Sequence, residues 1–201
     1  MFTIVEAAGW PIWFLIVASV VAVALIAERL IFLRENNIVP AGLLDETVKE
    51  LKQSGATPQM LKKLSEGSPL GRVFAAGLRN VKSSPNIMKE AIEEAGRTTT
   101  HEMERFLTTL GTVASISPLL GLFGTVVGMI EIFGSATGAG NNPQQLAHGI
   151  SVALYNTGFG LIIAIPAMIF YRHFRAKVDS FVIDMELQAV KLVELIHGER
   201  A

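Results

Sequence analysis

Four polar side chains lie inside two long apolar segments of this sequence. Thr125 stands in "GLFGTVVGMI", and Ser151, Asn156 and Thr157 stand in "ISVALYNTGFG". Polar groups inside a bilayer normally face protein or a water-filled cavity, because burying them unpaired in lipid is costly. A single threonine can donate to a carbonyl of its own helix, but a threonine pair together with an asparagine favours a hydrated path. We therefore treat these four residues as candidate pore-lining residues.

Small residues and prolines accompany the polar ones. Gly124 and Gly128 form a G-x-x-x-G pair, a spacing that lets membrane helices approach closely. Taken alone, this pattern favours helix packing without any role in transport. The positions that we assign to packing or kinks are Pro118, Gly121, Gly124, Gly128, Gly158, Gly160 and Pro166.

Three apolar segments are long enough to carry these residues across a membrane. They are free of charge over 9–27, 106–130 and 149–171. About 20 apolar residues span a hydrocarbon core of about 30 Å, and buried helices of soluble proteins rarely run so far without a charge. The sequence thus predicts an all-α membrane protein with three transmembrane helices and long cytoplasmic helical extensions.

The basic residues give the expected orientation. All 17 Lys and Arg lie between Arg29 and Arg105 or after the third segment, from Arg172 to Arg200. Because cytoplasmic loops carry the excess of Lys and Arg, we expect the N-terminus outside and the C-terminus inside. The expected parts are an outer interfacial helix with the first span (1–33), a cytoplasmic helical region (34–105), the second span (106–133), an outer loop (134–148), the third span (149–171) and a cytoplasmic C-terminal helix (172–201).

The cytoplasmic region shows helical periodicity and clear start signals. Ser68–Pro69 and Ser84–Pro85 each predict the beginning of a helix. The helix that starts at Pro85 carries Ile87, Ala91, Ala95 and Met103 and meets no breaker before the second span, so we expect one continuous helix there. A further helix is expected from Pro143 to His197, with Pro166 as its only interior breaker.

Several classes of function lack support in the sequence. It has no Gly-rich phosphate loop, no nucleophile elbow and no paired histidines at metal spacing, so we expect neither an enzyme nor a cofactor. The absence of cysteine excludes disulfides and thiolate metal sites. A net charge of −1 without a basic stripe gives no reason to expect nucleic acid.

The segments "SISPLLGLFGTVVGMI" and "GISVALYNTGFGLIIAIPAMIFY" resemble the proton-channel subunits of the MotA, TolQ and ExbB group, and are most similar to ExbB and TolQ. The resemblance implies an inner-membrane complex in which five subunits form a barrel around the single spans of an ExbD- or TolR-like partner. Proton flow would then energise an outer-membrane process through a TonB- or TolA-like protein. By motif, Thr125 and Thr157 match the two pore threonines, and Pro118 and Pro166 match the span prolines.

The sequence departs from the family pattern at one position. Many ExbB-like sequences have a glutamate where this chain has Val152. Since neither the second nor the third segment has an interior carboxylate, we expect the partner's intramembrane Asp to carry the proton. Three alternatives stay open: TolQ-like service in outer-membrane integrity and cell division, a scaffold that does not conduct, and a flagellar-type stator, which the three-span organisation disfavours.

Overall fold

The computed structural model describes residues 9–135 and 143–198. The side chains of residues 135, 143, 145, 146, 148 and 152 lie outside the described part. The described residues form α-helices and no strand. In chain order the helices are α1 (Ile12–Phe32), α2 (Glu35–Ile38), α3 (Leu43–Ser54), α4 (Pro58–Glu66), α5 (Pro69–Arg79), α6 (Pro85–Glu104), α7 (Leu107–Ser135) and α8 (Pro143–His197).

Three of these helical regions are long and apolar enough to cross a membrane. They contain α1, α7 and the first half of α8, which confirms the all-α class with three apolar spans. Pro118 lies inside α7 and Pro166 inside α8, and both helices continue through them. Helix α8 runs without interruption over 55 residues, as its sequence predicts.

The chain divides into two compact units. Among the described residues, one unit contains 9–28, 106–135 and 143–173, and therefore most of α1, all of α7 and the first part of α8. The other contains 29–105 and 174–198.

The core of the second unit forms around α5. Ser68 caps this helix by accepting a hydrogen bond from the backbone N–H of Gly71 at 3.1 Å, and Pro69 occupies the first turn. A cap of this kind stabilises a helix by about 1 kcal/mol. Leu70, Phe74 and Leu78 are almost completely buried, so this face of α5 forms the core.

Charged pairs connect the helices of this unit. Lys63 Nζ donates to Glu46 Oε1 at 2.8 Å and links α4 to α3. This hydrogen bond and the charge of Lys63 lower the pKa of Glu46. Arg175 Nη1 on α8 lies 3.0 Å from Glu104 Oε1 on α6, so the part of α8 after the third apolar segment contacts the end of α6.

The expectation of one continuous helix from Pro85 into the second span is wrong at two residues. Helix α6 ends at Glu104 and α7 begins at Leu107. Between them, Phe106 adopts a positive φ of 67°, which a side-chain-bearing residue adopts at a cost of about 1–3 kcal/mol. Arg29 Nη1 donates to the carbonyl oxygen of Met103 at 3.0 Å, so an arginine distant in sequence satisfies a carbonyl of the interrupted turn.

The apolar positions named for α6 differ in burial. Met103 is completely buried, whereas Ile87 is 49% exposed and its neighbour Met88 is completely buried in its place. The predicted interfacial helix before Gly9 lies outside the described residues. Of the outer loop predicted over 134–148, residues 136–142 also lie outside them, whereas 134–135 belong to α7 and 143–148 to α8.

Candidate pore site

Helices α7 and α8 approach each other at two glycines. A Cβ added at Gly160 would lie 2.6 Å from the carbonyl oxygen of Ser117 and 3.2 Å from the Cα of Gly121. A Cβ added at Gly121 would lie 2.7 Å from the carbonyl oxygen of Asn156. The two backbones are therefore in direct contact here, which only glycine permits.

One helical turn from this contact, the two predicted threonines meet. Thr125 Oγ1 on α7 and Thr157 Oγ1 on α8 lie 2.6 Å apart. Both side chains are half-buried. The structure thus brings together, across two helices, two hydroxyl groups that are 32 residues apart in the sequence.

Three contacts with backbone carbonyls complete the threonine pair. Thr125 Oγ1 lies 3.1 Å from the carbonyl oxygen of Ala153 on α8 and 3.2 Å from that of Gly121 on its own helix. Thr157 Oγ1 lies 3.4 Å from the carbonyl oxygen of Gly121. Each hydroxyl has one proton to donate. The shortest set of bonds has Thr157 donating to Thr125, which then donates to Ala153 or Gly121.

Asn156 lies next to this pair but faces the interior between the helices. Its side chain is only 1% exposed. A Cβ added at Gly124 would lie 2.7 Å from its Cγ and 2.8 Å from its Cβ. Asn156 therefore occupies a notch that exists because residue 124 has no side chain.

The structure places Ser151 elsewhere. Its side chain is exposed, and its hydroxyl donates to the carbonyl oxygen of Ala147 one turn earlier, at 3.0 Å. In α7, Ser115 and Ser117 likewise donate to carbonyls four residues back. Among the hydroxyls named here, those of Thr125 and Thr157 contact each other across the helices.

The other small residues differ in how closely they are packed. Gly128 would place an added Cβ 3.6 Å from Ala153, an ordinary contact, and Gly158 has open space around it. Beside Thr125, an apolar groove of about 510 Å³ runs along α7 and is lined by Val126, Met129, Ile130, Phe133 and Gly134.

Sequence reasoning missed the carbonyl groups of Gly121 and Ala153, which accept hydrogen bonds at the threonine pair. The type of a residue does not indicate whether its backbone carbonyl accepts such a bond. The available clue was spacing, because 153, 156, 157 and 160 follow the i, i+3, i+4 and i+7 pattern of one helix face.

The fold and the site define a membrane protein with three apolar spans, the second and third of which cross at a hydrogen-bonded threonine pair. Residues 65–187 match the profile of the MotA/TolQ/ExbB proton channel family. The chain belongs to that family.

The chain is similar to curated proteins of both the ExbB and the TolQ type. It is 33% identical to the biopolymer transport protein ExbB-like 3 of Synechocystis sp., over 79% of this chain and 77% of that protein. It is 34% identical to the biopolymer transport protein exbB1 of Vibrio cholerae serotype O1, over 80% and 72%. It is 30% identical to the Tol-Pal system protein TolQ of Pseudomonas aeruginosa, over 84% and 80%.

Proposed function

We propose that this chain is the channel subunit of a proton-driven motor in the bacterial inner membrane. It works with a single-span partner of the ExbD or TolR type, whose intramembrane aspartate carries the proton. The motion of that partner energises transport at the outer membrane through a TonB-like protein. Five copies of the chain surround the partner span in this proposal.

The observation that carries the proposal is the 2.6 Å contact between Thr125 and Thr157 in spans without a carboxylate. The sequence contains no Asp or Glu over 107–130 or 149–171. Hydroxyl groups do not ionise near neutral pH, but they donate to and accept from water or a carboxyl group. The site is therefore suited to receive a proton carrier from another chain.

A partner helix can reach this site at Thr125. It takes part in the threonine pair and also lines the apolar groove along α7. An apolar helix with one carboxyl group, lying in that groove, would bring its acid close to the two hydroxyls. This arrangement satisfies the acid in hydrocarbon, where an unpaired polar group is costly.

Reconstitution in proteoliposomes tests the proposal. With a pH-sensitive dye inside the vesicles, we expect negligible proton uptake for this chain alone and clear uptake after co-reconstitution with its ExbD- or TolR-like partner. Replacing the partner's intramembrane Asp with Asn should abolish the uptake. Robust proton flux through this chain without a partner would contradict the proposal.

A TolQ-like role is the second candidate, and the similarity to TolQ over most of both chains favours it. In that case the partner system is of the TolR and TolA type and maintains the outer membrane during division. A TolA-like reading frame beside the gene would support this role, and a TonB-like one would support import. Deletion phenotypes distinguish the two roles further, because sensitivity to detergent and chains of undivided cells would indicate a TolQ-like role.

A further inference from the structure

We propose that Asn156 is a positioning residue that acts through packing: its side chain fills the notch at Gly124 and so fixes Thr157 against Thr125, and its amide does not itself pass protons. The inference rests on the proposed function for its flux readout, and on the geometry of α7 and α8 for its structural readout. Asn156 is thereby separated from Thr125 and Thr157, with which the sequence alone groups it as a pore-lining residue.

The first step is the fit between Asn156 and Gly124. Three atoms of Asn156, the Cγ, Cβ and Nδ2, lie within 3.0 Å of where a Cβ on residue 124 would be. The Cβ of Asn156 is attached to the backbone, so a change of rotamer cannot move it away. Even the smallest side chain at position 124 must therefore displace α8 or distort α7.

The second step links this fit to the hydroxyl pair. Gly124 and Thr125 are neighbours on α7, and Asn156 and Thr157 are neighbours on α8. Ordinary contacts between carbon atoms are about 3.5–4.0 Å, so an added Cβ requires a displacement of about 1 Å. A displacement of that size lengthens the 2.6 Å contact between Thr125 and Thr157 beyond a normal hydrogen bond.

The third step concerns what the amide can do. Asn156 is 1% exposed and lies between the two helices, away from the groove beside Thr125. A carboxamide does not titrate in the physiological range, and a group buried between helices is not reached by a mobile carrier. The buried position and the neutral amide of Asn156 suit a residue that keeps α7 and α8 in a fixed register.

A disulfide reporter tests the register. The chain has no cysteine, so Thr125→Cys/Thr157→Cys provides the only two thiols. The short distance between the two hydroxyls is compatible with a disulfide, which requires Cβ atoms about 3.5–4.5 Å apart. In this background we expect Gly124→Ala to slow disulfide formation by about fivefold or more under mild oxidation.

Two further variants make this result specific. Gly128→Ala is the matched control, because its added Cβ meets Ala153 at an ordinary 3.6 Å, and it should leave the rate unchanged. Gly124→Ala/Asn156→Gly adds a Cβ on α7 and removes the side chain that it would meet on α8. It should therefore restore disulfide formation. An unchanged rate in Gly124→Ala, or no recovery in the double variant, would overturn the proposal.

Proton flux in the presence of the partner then distinguishes a packing role of Asn156 from a role in proton transfer. With both threonines in place, Gly124→Ala should lose flux, and Gly124→Ala/Asn156→Gly should regain it although the amide is gone. Recovery of the disulfide without recovery of flux would show that the amide has a chemical role, which contradicts the proposal. If the unmodified complex conducts no protons, the proposed function fails, whereas the disulfide arm still decides the register.

Discussion

The order of hydrogen bonds at the threonine pair determines which hydroxyl contributes more to stability. Thr125 has two backbone acceptors, the carbonyls of Ala153 and Gly121, at 3.1 and 3.2 Å. Thr157 has the carbonyl of Gly121 at 3.4 Å, a long contact. Both threonines contact a backbone carbonyl of the other helix, and the contact of Thr125 with Ala153 is the shorter of the two.

Replacing each threonine with valine should therefore have unequal effects on stability and similar effects on flux. Thr125→Val should cost about 1 kcal/mol and Thr157→Val less, because interhelical hydrogen bonds in membranes contribute about 0.6 kcal/mol on average and at most about 1.7. Thermal denaturation in detergent measures this order. Both variants should lower partner-dependent proton flux strongly, since each removes one hydroxyl of the pair.

Thr125→Ser and Thr157→Ser are the matched controls, because they keep the hydroxyl and lose only a methyl group. They should retain most of the flux. If the valine variants assemble normally and stay fully active, the assignment of the threonines to the proton path is wrong.

The two threonines of this site can be predicted from the sequence, whereas the notch at Gly124 cannot. Thr125 and Thr157 could be singled out because two hydroxyls in apolar spans need a common explanation. Ser151 could have been separated from them by geometry, because six residues turn a helix by about 240° relative to Thr157. The notch at Gly124 could not be predicted, since it depends on which residue of the other helix lies opposite.

At the level of helices, the glycine contact between α7 and α8 can be tested directly. Gly160→Ala places a Cβ 2.6 Å from the carbonyl oxygen of Ser117. Backbone atoms cannot swing away, so the helices must separate, and overpacking of this kind typically costs about 1–3 kcal/mol. We expect a lower melting temperature and loss of the threonine contact.

The control for this variant lies two residues earlier on the same helix. Gly158 has open space around it, and Gly158→Ala should leave stability unchanged or raise it, because alanine favours a helix by up to about 1 kcal/mol. Equal destabilisation by the two substitutions would show that the close approach at Gly160 does not hold the helices together.

The interruption between α6 and α7 shows where helix prediction from sequence fails. Residues 98–110 contain no Gly or Pro, so local preference favours a continuous helix. The break instead coincides with a contact from Arg29, 74 residues away, which is only 3% exposed and donates to Met103. Its guanidinium also lies 4.7 Å from the ring centroid of Phe32. A tertiary contact of this kind has no signature in the local sequence.

Arg29→Met should test whether this contact supports the break. Methionine keeps much of the apolar stem but removes every donor. A hydrogen bond from a charged group contributes about 1.5–3 kcal/mol, so the melting temperature should fall clearly. Arg34→Met, at an exposed arginine five residues later, should have little effect. Equal melting temperatures for the two variants would assign Arg29 no structural role.

At the scale of the whole molecule, the exposed apolar surface and the positions of the basic residues lead to a testable orientation in the membrane. Val17 on α1, Leu119 on α7 and Ile162 on α8 are each more than 60% exposed. Such large apolar side chains require lipid or other protein around them. The Lys and Arg residues lie between the first and second spans and after the third, which favours a cytoplasmic location for both regions.

Single cysteines can test this orientation, because the chain has none of its own. Ser54 on α3, Gly134 near the end of α7 and Ser180 on α8 are exposed positions that sample the three regions. When intact spheroplasts are treated with a membrane-impermeant maleimide, Gly134→Cys should be labelled, whereas Ser54→Cys and Ser180→Cys should be labelled only after lysis. The reverse pattern would place the basic regions outside and contradict the charge argument. Labelling of all three in intact spheroplasts would contradict a three-span topology, because no choice of orientation puts every one of these positions on the same side.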